Sequence, residues 1–73
     1  MFTINLDIAH TLSPSQIKNI CDKYSITPTL IQENGPAGGN PEYSFSTTKK
    51  SNIVNFLKNE YTSTPEIYTP FIY

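Results

Sequence analysis

The chain has few of the residues that build chemical sites: one cysteine, one histidine and no excess of basic side chains. A lone cysteine, Cys21, excludes a disulfide within the chain. His10 and the scattered carboxylates match no usual metal-ligand spacing, so neither a metal nor another cofactor is expected. Five basic residues against six acidic ones provide no positive field for a phosphate backbone. We therefore expect no nucleic-acid binding.

Long apolar runs are also lacking. No stretch approaches the ~20 apolar residues of a membrane span, and the chain does not open with the basic and apolar regions of a secretory signal. We expect a cytoplasmic protein without a membrane partner. Its 73 residues form one domain, and a core of that size supplies roughly 3–5 kcal/mol of net stability, which favours homo-oligomerisation.

Two segments have the alternation of strands and two have the spacing of helices. Phe2, Ile4, Leu6 and Ile8 alternate with polar residues and predict a strand with one buried face. Ser13 and Gln16 predict a capping box with Pro14 in the first turn. The helix that follows has the apolar stripe Ile17, Ile20, Cys21 and Tyr24, and the second helix has Ile53, Phe56, Leu57 and Tyr61.

The middle of the chain predicts a hairpin. A short strand covers residues 29–33, and a second strand has Tyr43, Phe45 and Thr47 on one face. Thr48 or Ser51 is expected to cap the second helix. Residues 66–73 are apolar and contain Pro70, which predicts a short edge strand or an aromatic tail packed on the core.

This order predicts an α+β fold, the ferredoxin-like split βαββα(β) arrangement, with an antiparallel sheet and two helices on one face. We expect the first and third strands in the centre, paired in parallel. The open sheet face is then polar and without aromatic rings, which disfavours base stacking of the kind RNA-binding modules use. The residues predicted on it are Thr3, Asn5, Asp7, Glu42, Ser44 and Ser46.

All three glycines lie in residues 35–41, called the glycine loop below. Turn chemistry accounts for each of its residue types, so a hairpin connection is the favoured interpretation. The alternative is an anion-binding nest of backbone amides. Its candidate ligand-binding residues are Gly35, Ala37, Gly38, Gly39 and Asn40.

The aromatic end of the chain is the second candidate site. Tyr68, Phe71 and Tyr73 either close the small core or form a partner surface, where aromatic residues are enriched. Cys21 falls on the apolar helix stripe and is expected to be a buried, inert thiol. No catalytic residue is predicted, since an enzyme would have to assemble a site from Asp7, His10 and Glu42. The expectation is that the protein is not an enzyme.

The glycine loop, the strand at residues 42–46 and the helix at residues 53–61 together resemble small uncharacterised phage proteins. In those proteins a GPAGGNP-type turn precedes a strand and a closing helix. The resemblance implies a phage or prophage origin, hence a host-cell cytoplasm, and it brings no catalytic residue. The predicted function is non-enzymatic binding of a protein partner, with inhibition of a host defence system as a narrower form. The alternative is an oligomeric protein that binds a nucleotide or another small anion through the glycine loop.

Overall fold

The computed structural model describes residues 1–9, 11–33 and 39–73 as a small α+β protein. Three strands and two helices follow in the order β1 (Phe2–Asp7), α1 (Pro14–Lys23), β2 (Thr27–Gln32), β3 (Glu42–Thr47) and α2 (Lys50–Phe56). A π-helical turn, Leu57–Tyr61, continues α2, and two 3₁₀ turns, Pro65–Ile67 and Thr69–Phe71, complete the chain. Within the described residues, no helix has the length and apolar character needed to cross a bilayer.

The three strands form one antiparallel sheet in the order β1-β3-β2. Phe2 pairs with Thr47 and Asp7 with Glu42, so β1 and β3 run in opposite directions. The expectation of parallel pairing between these two strands was wrong. The β2–β3 hairpin makes β3 antiparallel to β2, and α1 returns the chain so that β2 runs in the direction of β1. The strand between them must therefore oppose both.

One face of the sheet carries the core. Ile4, Leu6 and Ile8 are buried, as the alternation predicted, whereas Phe2 at the start of β1 is 37% exposed. On β3, Tyr43 and Phe45 are buried on the same face, and both helices add side chains to that core. The helices therefore cover one side of the sheet. The other face carries the six polar residues predicted for it, which are exposed or half-buried.

Helix α1 begins as its sequence predicts. Ser13 Oγ accepts from the Gln16 amide at 3.2 Å, and Gln16 Oε1 accepts from the Ser13 amide at 2.8 Å, which completes the capping box. Pro14 occupies the first turn. These two bonds satisfy two of the amides that a helix start leaves without partners.

Helix α2 begins without the expected side-chain cap. Its N-cap residue is Lys49, which makes no capping hydrogen bond, so neither Thr48 nor Ser51 plays that part. Instead, the side chain of Asn52 donates to Thr47 Oγ1 at 2.8 Å and ties the first turn to the end of β3. A hydrogen bond between two side chains therefore holds this helix start, where a side-chain cap on a backbone amide was expected.

Strand β2 begins two residues earlier than predicted, at Thr27, and includes Pro28. It pairs with β3 alone, so it is an edge strand of the described sheet, and an edge tolerates a residue without an amide proton. The predicted hairpin is confirmed by antiparallel pairing of β2 with β3. The register shifts between Leu30 and Gln32, which leaves Ile31 at a bulge and 52% exposed.

Candidate functional site

The glycine loop lies largely outside the described residues, which exclude Gly35, Ala37 and Gly38. Gly39 and Asn40 are described and exposed. Pro41 closes the loop against the sheet, since its carbonyl accepts from the Ile8 amide at 2.9 Å. The anion nest therefore stays a prediction.

The aromatic tail divides into one packed ring and two exposed rings. Tyr68 is half-buried and meets Tyr61 edge to face, with ring centroids 5.2 Å apart. Phe71 and Tyr73 are 65% and 69% exposed. Pro65 and Pro70 each lie in the first turn of a 3₁₀ segment, where their fixed φ suits tight turns. The tail is thus folded onto the domain while two of its three candidate rings face solvent.

The last residue of the chain bonds to the free edge of β1. The Thr3 amide donates to the Tyr73 carbonyl at 2.7 Å, and the Tyr73 amide donates to the Thr3 carbonyl at 2.8 Å. Two residues that exchange both bonds are directly opposed, and their side chains lie on the same sheet face. Tyr73 therefore projects on the polar face, and Ile72, which packs against the core, faces the other way.

A groove of about 410 Å³ lies between the tail and the end of β1. Aromatic rings from the π-helical turn and the tail form one wall, and polar side chains of β1 and β3 form the other. Its lining residues are Asn5, Leu6, Asp7, Glu42, Tyr61, Tyr68 and Phe71.

The electrostatics of this groove are acidic. Asp7 and Glu42 are register partners, so the two carboxylates start from Cβ atoms only about 5 Å apart. Among the described residues, Lys18 and Asp22 form an ion pair on α1, and no cation pairs with Asp7 or Glu42. Like charges facing each other across strands are unfavourable, so this end of the sheet favours a positive charge from elsewhere.

Tyr61 connects the π-helical turn to the end of β1, between the groove and the core. Its hydroxyl donates to the Asp7 carbonyl at 3.0 Å. Burial raises the pKa of the Tyr61 hydroxyl, and the neighbouring Tyr68 and Asp7 raise that pKa further. The hydroxyl therefore stays protonated at neutral pH and acts as a donor, which holds the ring in the groove wall.

A second cavity, of about 200 Å³, opens between the two helices and the end of β1. Its walls are mainly apolar, with Ile8, Leu12 and Ile20 among them. The Glu60 carboxylate at its rim accepts from the Tyr24 hydroxyl at 2.8 Å, a bond that raises the pKa of Tyr24. Sites for drug-sized ligands usually occupy about 300–1,000 Å³, so this cavity suits at most a small apolar group.

The structure brings together only two of the three residues considered for catalysis, Asp7, His10 and Glu42, within its described part. Asp7 and Glu42 face each other, while His10 lies outside the described residues.

Cys21 is fully buried, and this burial, with a smaller contribution from Asp22, raises the pKa of its thiol to about 11. It is the inert structural thiol that the helix stripe predicted. In the described part of the chain no three His, Cys, Asp or Glu side chains group closely enough to hold a metal ion.

Sequence reasoning did not identify the groove, although its signals were present. Alternation places Asp7 and Glu42 on the open face, but their pairing depends on the register of two strands that are far apart in the chain. The helical spacing predicts Tyr61 on the core stripe of the second helix. The π-helical turn and the folded tail bring its ring, Tyr68 and Phe71 to the end of β1.

No protein-family model, curated protein or solved structure matches this chain.

Proposed function

We propose that this chain is a small non-enzymatic accessory protein that binds a protein partner through its C-terminal tail. The observation that carries the proposal is the exposure of three large apolar side chains in the tail: Ile67 at 58%, Phe71 at 65% and Tyr73 at 69%. We call these three residues the tail surface. A small domain needs its apolar residues for the core, so leaving them in water points to a partner that covers them.

The chemistry of the tail surface suits a protein partner. Aromatic side chains are enriched in protein interfaces, where they bury a large area while fixing few rotatable bonds. Pro65 and Pro70 restrict the backbone that presents them, which lowers the entropy lost on association. The polar sheet face, with Asp7 and Glu42, supports a nucleic-acid partner much less well.

The test compares two double variants that each replace two exposed large hydrophobic side chains with serine. Phe71→Ser with Tyr73→Ser alters the tail surface, and Leu30→Ser with Ile31→Ser alters the exposed β2 edge. Tagged proteins are crosslinked in cells, recovered partners are quantified, and affinity is then measured with the purified partner. We expect the tail variant to lose binding at least tenfold and the β2 variant to retain it. Equal retention by both variants would contradict the proposal.

The narrower form of the proposal concerns the class of partner. The resemblance to small phage proteins supports a host defence component as that partner. Cells that carry a defence system and express the chain should be infected more efficiently than cells with an empty vector, and the tail variant should abolish the gain. If infection is unchanged across a panel of defence systems, the partner belongs to another class.

We also propose that the fold is the full ferredoxin-like arrangement, with Tyr73 in the position of a fourth strand beside β1. The sheet order β1-β3-β2 and the two bonds between Thr3 and Tyr73 support this. Tyr73→Pro removes the amide proton that bonds to Thr3, whereas Tyr73→Ala keeps it. We expect the proline variant to be less stable than the alanine variant by about 1 kcal/mol in urea unfolding. Equal stability of the two would argue that the tail does not extend the sheet.

A further inference from the structure

The groove between the tail and the end of β1 combines aromatic and acidic side chains, whereas the tail surface has no acidic side chain. Its aromatic wall is formed by Tyr61, Tyr68 and Phe71, and its polar wall carries two carboxylates. Carboxylates attract a cation through charge, and aromatic faces attract one through their quadrupole. The two walls together therefore favour a cationic group as the ligand.

We propose that this groove binds an arginine or lysine side chain from a basic segment of the protein partner. The inference rests on the proposed function, because it names the chemistry of the partner that the tail binds. The groove adjoins Phe71, which also belongs to the tail surface, so one partner segment spans both.

Charge complementarity is the main argument. Asp7 and Glu42 oppose each other across β1 and β3, and in the described residues neither forms a salt bridge. A guanidinium or ammonium group between them attracts both carboxylates and offsets the unfavourable pairing of like charges across the strands. Arginine is the better fit, because its planar group bonds to carboxylates and also stacks on rings.

The shape of the groove supports the same occupant. At about 410 Å³ it has room for one long side chain. Tyr61 is held by its bond to the Asp7 carbonyl, and Tyr68 is held edge to face against Tyr61. Two of the three rings are therefore in place before binding, and Phe71 is 65% exposed and accessible to the ligand.

The experiment is an NMR titration of the full ¹⁵N-labelled chain with the peptide Ac-(Gly-Arg)₃-NH₂. The matched probe is the same peptide with citrulline in place of arginine, which keeps the shape and removes the charge. We expect shifts at residues 5–7, 42 and 68–71 with the arginine peptide, and at least tenfold weaker binding of the citrulline peptide. Binding should weaken as salt is raised, since exposed charges are screened. Equal binding of the two peptides would overturn the proposal.

Three variants assign the effect to the groove. Asp7→Asn and Glu42→Gln should each weaken arginine-peptide binding about fivefold, and Phe71→Leu should weaken it about threefold. The matched control is Asp22→Asn, which makes the same change in charge on α1. If Asp22→Asn weakens binding as much as Asp7→Asn does, the effect reflects net charge and the groove is not the site.

The same variants separate this inference from the proposed function. If the cellular partner is lost on altering Phe71 and Tyr73 but kept by Asp7→Asn and Glu42→Gln, the tail binds a partner and the groove inference fails. If the arginine peptide binds the groove but the tail double variant keeps the cellular partner, the proposed function fails and the groove remains a cation site.

Discussion

Ser25 terminates α1 with a backbone conformation that glycine adopts more easily. Its φ is 58°, in the left-handed region. The Ser25 amide donates to the Asp22 carbonyl at 3.4 Å, and the Ile26 amide donates to the Cys21 carbonyl at 3.1 Å. This pair of bonds is the Schellman arrangement, completed by burial of Ile26 beside Cys21. The arrangement uses Ser where glycine is most common.

Replacing Ser25 with glycine should stabilise the protein. The left-handed conformation costs a residue with a Cβ about 1–2 kcal/mol, and the greater freedom of glycine in the unfolded chain offsets part of the gain. We expect Ser25→Gly to raise the free energy of unfolding by about 0.5–1 kcal/mol in urea titrations. Ser51→Gly, inside α2, is the control and should lower it by a similar amount. A loss of stability in Ser25→Gly would show that the serine side chain contributes more than its backbone strain costs.

Cys21 gives the protein a predictable response to alkaline pH. Burial raises the pKa of its thiol from 9.0 to about 11. Between these values the unfolded chain releases the proton and the folded chain retains it, so stability is complete below pH 9 and falls as pH rises toward 11. The loss is at most about 2–3 kcal/mol, since one pKa unit corresponds to about 1.4 kcal/mol.

The Cys21→Ala variant isolates this effect. It loses some packing at every pH, but it has no thiol to ionise, while Tyr24 and Tyr61 titrate in both proteins. We expect the stability difference between wild type and variant to shrink as urea titrations move from pH 8 to pH 11. A difference that stays constant over that range would mean that the thiol ionises as readily in the folded protein as in the unfolded chain.

At the scale of elements, Thr47 joins three parts of the chain. It is 3% exposed, and its hydroxyl donates to the Ser25 carbonyl at 3.0 Å while accepting from Asn52 at 2.8 Å. The end of β3, the turn after α1 and the start of α2 therefore meet at one oxygen. This bond pattern anchors the start of α2, which has no side-chain cap.

Thr47→Val keeps the shape of the side chain and removes that oxygen. Because a carbonyl and an amide then lose their partner, we expect the free energy of unfolding to fall by about 1–3 kcal/mol. Thr27→Val, at an exposed position of β2, is the control and should change it by less than about 0.5 kcal/mol. Asn52→Ala combined with Thr47→Val should cost less than the sum of the single changes, and strict additivity would contradict the shared bond.

The elements that sequence reasoning predicted well are those whose signals are local. Alternation in β1 and the capping box of α1 depend on residues a few positions apart, and both are confirmed. The direction of β3 relative to β1 and the groove depend on contacts between distant segments, and the bond from Asn52 to Thr47 depends on how the chain turns between β3 and α2. Pro28 shows the same limit, because its place in a strand is acceptable only at a sheet edge, and the edge is a property of the whole sheet.

At the scale of the whole molecule, one chain of rings connects both helices to the sheet. Phe45 on β3 lies 5.1 Å from Phe56 on α2 and 6.1 Å from Tyr43, measured between ring centroids. Phe56 in turn meets Tyr24, next to the end of α1, edge to face at 6.0 Å. Phe45 itself is fully buried. The sheet and α2 thus contact Phe45 directly, and the end of α1 contacts it through Phe56.

Phe45→Ala should therefore unfold the protein as a unit. Truncating a buried phenylalanine costs about 3–5 kcal/mol, which equals the roughly 3–5 kcal/mol of net stability that a core of this size supplies. We expect the variant to lack a folded baseline in circular dichroism at 25 °C, while Phe45→Leu unfolds cooperatively at a lower urea midpoint. Phe71→Ala removes the same atoms from a ring that is 65% exposed, so it should keep the wild-type midpoint. A wild-type urea midpoint for Phe45→Ala, together with a lowered midpoint for Phe71→Ala, would contradict this prediction. The contacts that stabilise the fold would then lie along the tail, and its exposed rings would not be available to bind a partner.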